Sequence, residues 1–230
     1  MGNKDTIAKP GKEKRMKKLI LLGIAAVLVT SAMASTNLYG ETGLANMQTA
    51  KVQAVDTLNL GVDYIDVTGS SYPVHATYGI APNWEVGSSY FINSKFVSAS
   101  AKWVTPLTAL DSKYAVGGYL EVEKSAKPFY QVYGAMQKEL PFGINDVTCN
   151  LNANVAADIS GGVTEVNPSI GVDATFAKAN DMIVSAEYAF RGKVFAAKAA
   201  YYLGNGFGVS GGVNDSDLFL GVNYTYDMVK

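Results

Sequence analysis

Few residues in this chain are equipped for chemistry. Its 230 residues include one histidine, His75, and one cysteine, Cys149. A histidine can activate a serine nucleophile, but no spacing singles out a serine for His75 and no G-x-S-x-G elbow occurs. His75 therefore reads as a polar residue hydrogen-bonded to its neighbours. A transition-metal site needs convergent His, Cys and carboxylate ligands. One histidine and one cysteine set among apolar neighbours do not supply it, and Cys149 reads as inert filler. DISGGVTEV is expected to place Asp158 and Glu165 in a loop, without calcium-loop spacing. GNGFG and SGG are turns rather than phosphate cradles, since no helix follows them. Neither catalysis nor a cofactor is expected. A lone cysteine also excludes an internal disulfide.

What remains is a series of charged and amide side chains at alternate positions. VTCNLNANVAAD shows the pattern: Asn150, Asn152 and Asn154 on one parity, Cys149, Leu151, Ala153 and Val155 on the other. Asp63, Glu85, Lys102, Glu121, Glu123, Glu139, Asp173, Glu187, Arg191 and Lys198 sit in the same way opposite apolar neighbours. Residues two apart on an extended strand share a face, so the elements that must position these groups are β-strands.

Period-two alternation runs from residue 57 to residue 226. TLNLGVDYIDV, YPVHATYGI, FVSASAKWV, MIVSAEYAFR and DLFLGVNYTY are representative. VFAAKAAYYL is resolved by placing Phe195, Ala197, Ala199 and Tyr201 on the greasy face and Lys198 on the wet one. Turn-forming stretches such as TGSSYP, EKSAKP, RGK, GNG and NDSD separate the strands. The count is about twelve, with ten and fourteen as bounds, and most segments approach the ~10 residues that a tilted strand needs to cross a bilayer.

The N-terminus orders a basic cluster from Lys12 to Lys18, an apolar run from Leu19 to Val29, and Ala32-Met33-Ala34. That is the layout of a secretory signal peptide. The expected organisation is a polar extension over 1–15, a signal peptide over 16–34, a periplasmic segment over 35–56 and a barrel over 57–230. Cleavage after Ala34 would take seven Lys/Arg and two Asp/Glu from totals of 19 and 20, leaving a net charge of −6. Phosphate contacts need clustered bases, so nucleic acid is not an expected partner.

A soluble sandwich and a membrane barrel both alternate, and the aromatics choose between them. With both termini in the periplasm, Tyr78, Trp84, Trp103, Tyr114, Tyr201, Tyr224 and Tyr226 fall near the periplasmic strand ends on the greasy face. Tyr64, Tyr90, Tyr130, Tyr188, Phe190 and Phe195 fall near the opposite ends, with aliphatic residues between. Two aromatic girdles around an aliphatic band are what membrane–water boundaries select. A sandwich core is greasiest in the middle and has no reason to sort rings by strand end. The predicted fold is all-β: an antiparallel up-and-down transmembrane β-barrel.

With its strands placed in this way, the chain resembles bacterial outer-membrane β-barrel proteins of the small porin-like kind. YGETGLANMQTAKV (Tyr39 to Val52) followed by LNLGVDY is similar to the start of an exopolysaccharide-associated outer-membrane barrel group. There a Gly-x-Thr-Gly-Leu turn precedes a Pro-Thr-Ala run, and Gln48 stands here at the proline. The resemblance implies export through the Sec pathway, insertion by the β-barrel assembly machinery and outer-membrane lipid as surroundings. Tyr224 and Tyr226 lie near the C-terminus, where many such barrels end in an aromatic that this machinery reads. The parity set above would line the lumen, with seven acids against three bases. The expected function is a passive channel for small solutes with a mild cation preference. The alternatives are a non-conducting structural or export-associated barrel, and a barrel hydrolase built on His75.

Overall fold

A computed structural model describes residues 37, 41–66, 71–123, 127–141, 144–179 and 182–228. The expected extension over 1–15 and signal peptide over 16–34 lie outside the described residues. Twelve strands form from these residues: β1 Thr57–Ile65, β2 Pro73–Ala81, β3 Trp84–Phe91, β4 Phe96–Ala109, β5 Ser112–Glu123, β6 Phe129–Leu140, β7 Val147–Ser160, β8 Val163–Phe176, β9 Met182–Ala189, β10 Val194–Gly204, β11 Phe207–Asn214 and β12 Asp217–Asp227. Each pairs antiparallel with its neighbours in sequence, and β1 pairs with β12 to close a barrel. Closure leaves no free edge, so the strands' backbone donors and acceptors find partners within the wall, as hydrocarbon demands.

Short turns reverse the chain. Leu110 and Asp111 both take φ 54° between β4 and β5, and Gly161 and Gly162 take 60° and 87° between β7 and β8. Positive φ at both central residues is the type I′ geometry whose twist matches the flanking strands. Glycine meets that demand without strain, whereas Leu110 adopts it with its side chain out in solvent.

The barrel inverts a soluble core. Leu60, Val62, Val97, Val116, Val132, Val172, Leu220 and Val222 are exposed on the outer surface, and Val155 keeps 55% of its area there. Buried on the opposite parity are Asn59, Asp63, His75, Thr77, Glu85, Ser89, Ser98, Lys102 and further polar groups. The strands need an apolar solvent outside and polar partners inside.

The aromatic girdles are built from cross-strand pairs. At the end carrying both barrel termini, here the terminal end, Trp84 stacks on its register partner Trp103 at 5.8 Å, and Phe207 packs on Tyr224 at 4.7 Å. Tyr78 donates its hydroxyl to Asp56 at 3.0 Å, and Tyr114 to the Ala109 carbonyl at 3.0 Å. Tyr201 and Tyr226 lie toward the same end, on β10 and β12. At the far end Tyr188 meets Phe190 edge-on at 5.3 Å, and Tyr64 lies 5.4 Å from Tyr72.

Candidate functional site

The segment ahead of the first strand folds into the bore. Glu41 to Ala50 are buried, apart from a half-buried Asn46, and the chain reverses in a hairpin whose tip is Leu44–Met47. Gly43 pairs with Gln48 across the hairpin, and the Leu44 amide donates to the Met47 carbonyl at 2.9 Å. A Cβ on Gly43 would meet the Met47 oxygen at 2.3 Å, so only glycine permits this turn. The expected periplasmic segment over 35–56 is thus found, from Glu41 to about Gln53, inside the barrel wall.

Two carboxylates on the wall anchor the hairpin by its backbone. Near the far end, Glu187 on β9 accepts from three successive amides: Ala45 at 3.2 Å, Asn46 at 2.7 Å and Met47 at 3.1 Å. Near the terminal end, Glu85 on β3 accepts from the Thr42 amide at 2.9 Å and the Gln53 amide at 2.7 Å. Lys102 on β4, directly opposite Glu85 in register, pairs with it at 2.9 Å and donates to the Thr42 carbonyl at 2.7 Å. Lys102 and Glu85 are each 1% exposed, and a buried pair persists only when such hydrogen bonds complete it.

Side-chain contacts fix the hairpin laterally. Lys51 pairs with Asp173 on β8 at 3.1 Å, and Asp173 also accepts from Asn150 at 2.9 Å and Asn152 at 2.7 Å. Gln48 donates to Gln131 at 3.2 Å and accepts from Asn154 at 3.3 Å. Tyr133 donates to Glu41 at 3.1 Å. Ala50 packs with Val104, Ala115, Tyr133, Ala135 and Ala156, while Ala45 packs with Ile65, Ala196 and Phe219. Burial pushes the Glu41 carboxyl up to about 7. Lys102 opposes that shift, Glu85 adds to it, and hydrogen bonds from Tyr133 and Gln48 oppose it further.

The hairpin lines two cavities. One of about 560 Å³ opens toward the terminal end, between the hairpin's Leu44 and Thr49–Val52 and wall residues including Thr105, Lys113 and Thr175. The other, about 270 Å³, lies toward the far end beneath Tyr119, Phe129 and Asp158, with Asn46–Gln48 as its floor.

The expected lumenal residues therefore divide by role. Glu85, Lys102, Asn154, Asp173 and Glu187 hold the hairpin, and Asn150 and Asn152 brace Asp173. Asp63 faces His75 Nδ1 at 3.4 Å, and both border a narrow crevice with Lys198. Glu121 is half-buried toward the far mouth, and Glu123 is exposed at its rim. Glu139 is exposed near the terminal end of β6. Arg191 lies in the turn after β9 rather than on a strand, and pairs with Glu165. Sequence reading missed Glu41, Thr42 and Lys51 as bore residues, while the alternation in FYQVYGAMQKE puts Gln131 and Tyr133 on the inward parity. Among the described residues, no group of three or more His, Cys, Asp or Glu is placed to hold a metal ion.

A closed wall with an apolar exterior, two aromatic girdles and a polar bore defines a transmembrane β-barrel. No protein-family model matches the chain, and no curated protein does. Among solved structures it is similar to a KdgM porin, with TM-score 0.57 and 14% identity over 73% of this chain and 98% of that one. It is similar also to a KdgM porin in complex with disordered oligogalacturonate, with TM-score 0.52 and 15% identity over 74% and 98%. The outer membrane protein Omp33 of Acinetobacter baumannii aligns at TM-score 0.49 and 11% identity, over 74% of this chain and 96% of that one. These likenesses concern the fold.

Proposed function

We propose that the protein is a passive channel of the bacterial outer membrane for small solutes, closed in the observed state by its own N-terminal hairpin. The observation that carries this reading is a pair of cavities in the bore, one toward each end, both lined by that hairpin. The hairpin is held by hydrogen bonds, ion pairs and small apolar contacts, so its displacement would join the cavities without unfolding the wall. Export through the Sec pathway and insertion by the β-barrel assembly machinery belong to the same reading.

The bore's charge supports a mild cation preference. Glu41, Asp63, Glu85, Asp173 and Glu187 are buried there against Lys102 and Lys198, with Lys51 partly buried. Asp158 and Glu121 add negative charge toward the far end. Fixed charge in a narrow wet channel concentrates the opposite ion. Oligogalacturonate, the ligand of one similar barrel, is a polyanion that such a bore would repel.

A second reading is a non-conducting structural or export-associated barrel. The density of hairpin contacts favours it. Planar-bilayer conductance of the native chain and of a variant lacking residues 41–52 separates the two. The channel reading predicts small or infrequent openings in the native protein and a larger, cation-preferring conductance in the deletion. Glu121→Gln with Glu123→Gln should lower that preference. A folded, inserted deletion variant that passes no current would refute it.

A further inference from the structure

We propose that the far-end cavity is a binding site for an organic cation, a small molecule that carries an ammonium group on a partly apolar body. The proposal deepens the channel reading by naming a solute class, and rests on it for the idea that the ligand passes through. The binding itself does not require conduction.

Three features of the cavity converge. It is rich in acceptors: Asp158 takes one hydrogen bond, from Gln131 at 2.7 Å, and the Glu121 charge lies close enough to act on it. Asn167 on β8 also borders the cavity, and its Oδ1 is shut from solvent with no donor. A buried acceptor without a partner is costly, and a donor-bearing ligand that reaches it would recover that cost. The second feature is charge. Among the described residues lining the cavity there is no Lys, Arg or His. Glu187 is saturated by the hairpin, and Arg191 at the rim is committed to Glu165. Among the described lining residues, Asp158 is thus the uncompensated charge facing the space.

The third feature is aromatic. Tyr119 on β5 and Phe129 on β6 lie 5.7 Å apart at a 40° tilt, and both border the cavity. Aromatic faces attract cations and pack on C–H surfaces, and neither property serves a hydrated metal ion or an anion. At about 270 Å³ the space sits just below the range for drug-sized ligands, which suits a single amino sugar or short amine.

The test uses the full chain purified in detergent, with probes that share one ring and differ in charge: glucosamine near pH 6, glucose and glucuronate. Calorimetry or ligand-observed NMR should show glucosamine binding about ten-fold tighter than glucose, as one charge-assisted hydrogen bond supplies, with glucuronate weakest. Asp158→Asn should abolish the glucosamine advantage, while Tyr119→Ala should weaken both sugars. Heat-modifiable gel migration verifies that each variant is folded. Equal binding of glucosamine and glucose, or an advantage that survives Asp158→Asn, would overturn the proposal. Binding with this pattern by a barrel that never conducts would sustain the site and remove the channel reading alone.

Discussion

Glu187→Gln isolates the hairpin's hold on the bore. In the native chain Oε2 accepts from the Ala45 and Met47 amides and Oε1 from the Asn46 amide. A glutamine can keep its single oxygen at the Oε2 position, where two charge-assisted bonds become neutral ones. Each such change loses about 1 kcal/mol. Its amide nitrogen then faces the Asn46 N–H, donor against donor, and a third bond worth about 1.5–3 kcal/mol disappears. Against this, glutamine avoids part of the cost of burying a carboxylate that is only 6% exposed, an offset of about 2 kcal/mol. A net loss of about 2 kcal/mol in docking free energy follows, or about thirty-fold in the ratio of docked to undocked hairpin. Single-channel recording reads that ratio as open probability. A rise of ten-fold or more, at unchanged unitary conductance, supports the anchoring role. Open probability within two-fold of native, in a variant with normal heat-modifiable migration, would refute it.

Because docking raises the Glu41 carboxyl from 4.5 to about 7, the docked state holds its proton more tightly. The stabilisation is complete below about pH 4.5 and is lost as pH rises through about 7, a swing of about 3 kcal/mol. Acid should therefore close the channel, and Glu41→Gln should stay closed at neutral pH with a flattened pH profile in bilayer recordings. Val155→Arg places a charge near the middle of β7 on the lipid face and should destabilise the barrel by about 2–4 kcal/mol in denaturant unfolding from lipid vesicles. A change below 0.5 kcal/mol would contradict the assigned face. Gly43→Val cannot keep the Met47 oxygen where it is, and should raise open probability without altering barrel stability.

The wall was legible because each strand separates two different solvents, and a period of two records that in every segment. Even VFAAKAAYYL was settled by one residue, Lys198, which is buried opposite an exposed Phe195 and Ala199. Cross-strand rings such as Trp84 and Trp103 reported the girdles for the same reason. The hairpin left no such trace. Its burial depends on backbone amides meeting carboxylates far along the chain, Thr42 with Glu85 at a separation of 43 and Ala45 with Glu187 at 142. Backbone donors carry no side-chain signature. Parity therefore placed Glu85 and Glu187 inside without revealing that a segment of the same chain had claimed them.

Spin labels on the two faces of one strand pair distinguish a barrel with lipid outside and a wet, polar bore within from any other arrangement. Placed at Val155 on the outer face of β7 and at Ser169 beside the far cavity, in a Cys149→Ser background, they sample the two sides of one wall. In lipid vesicles the Val155 label should be relaxed by oxygen and shielded from a water-soluble nickel chelate, while the Ser169 label should respond to the chelate. The reverse pattern, or the same response at both positions, would contradict that barrel.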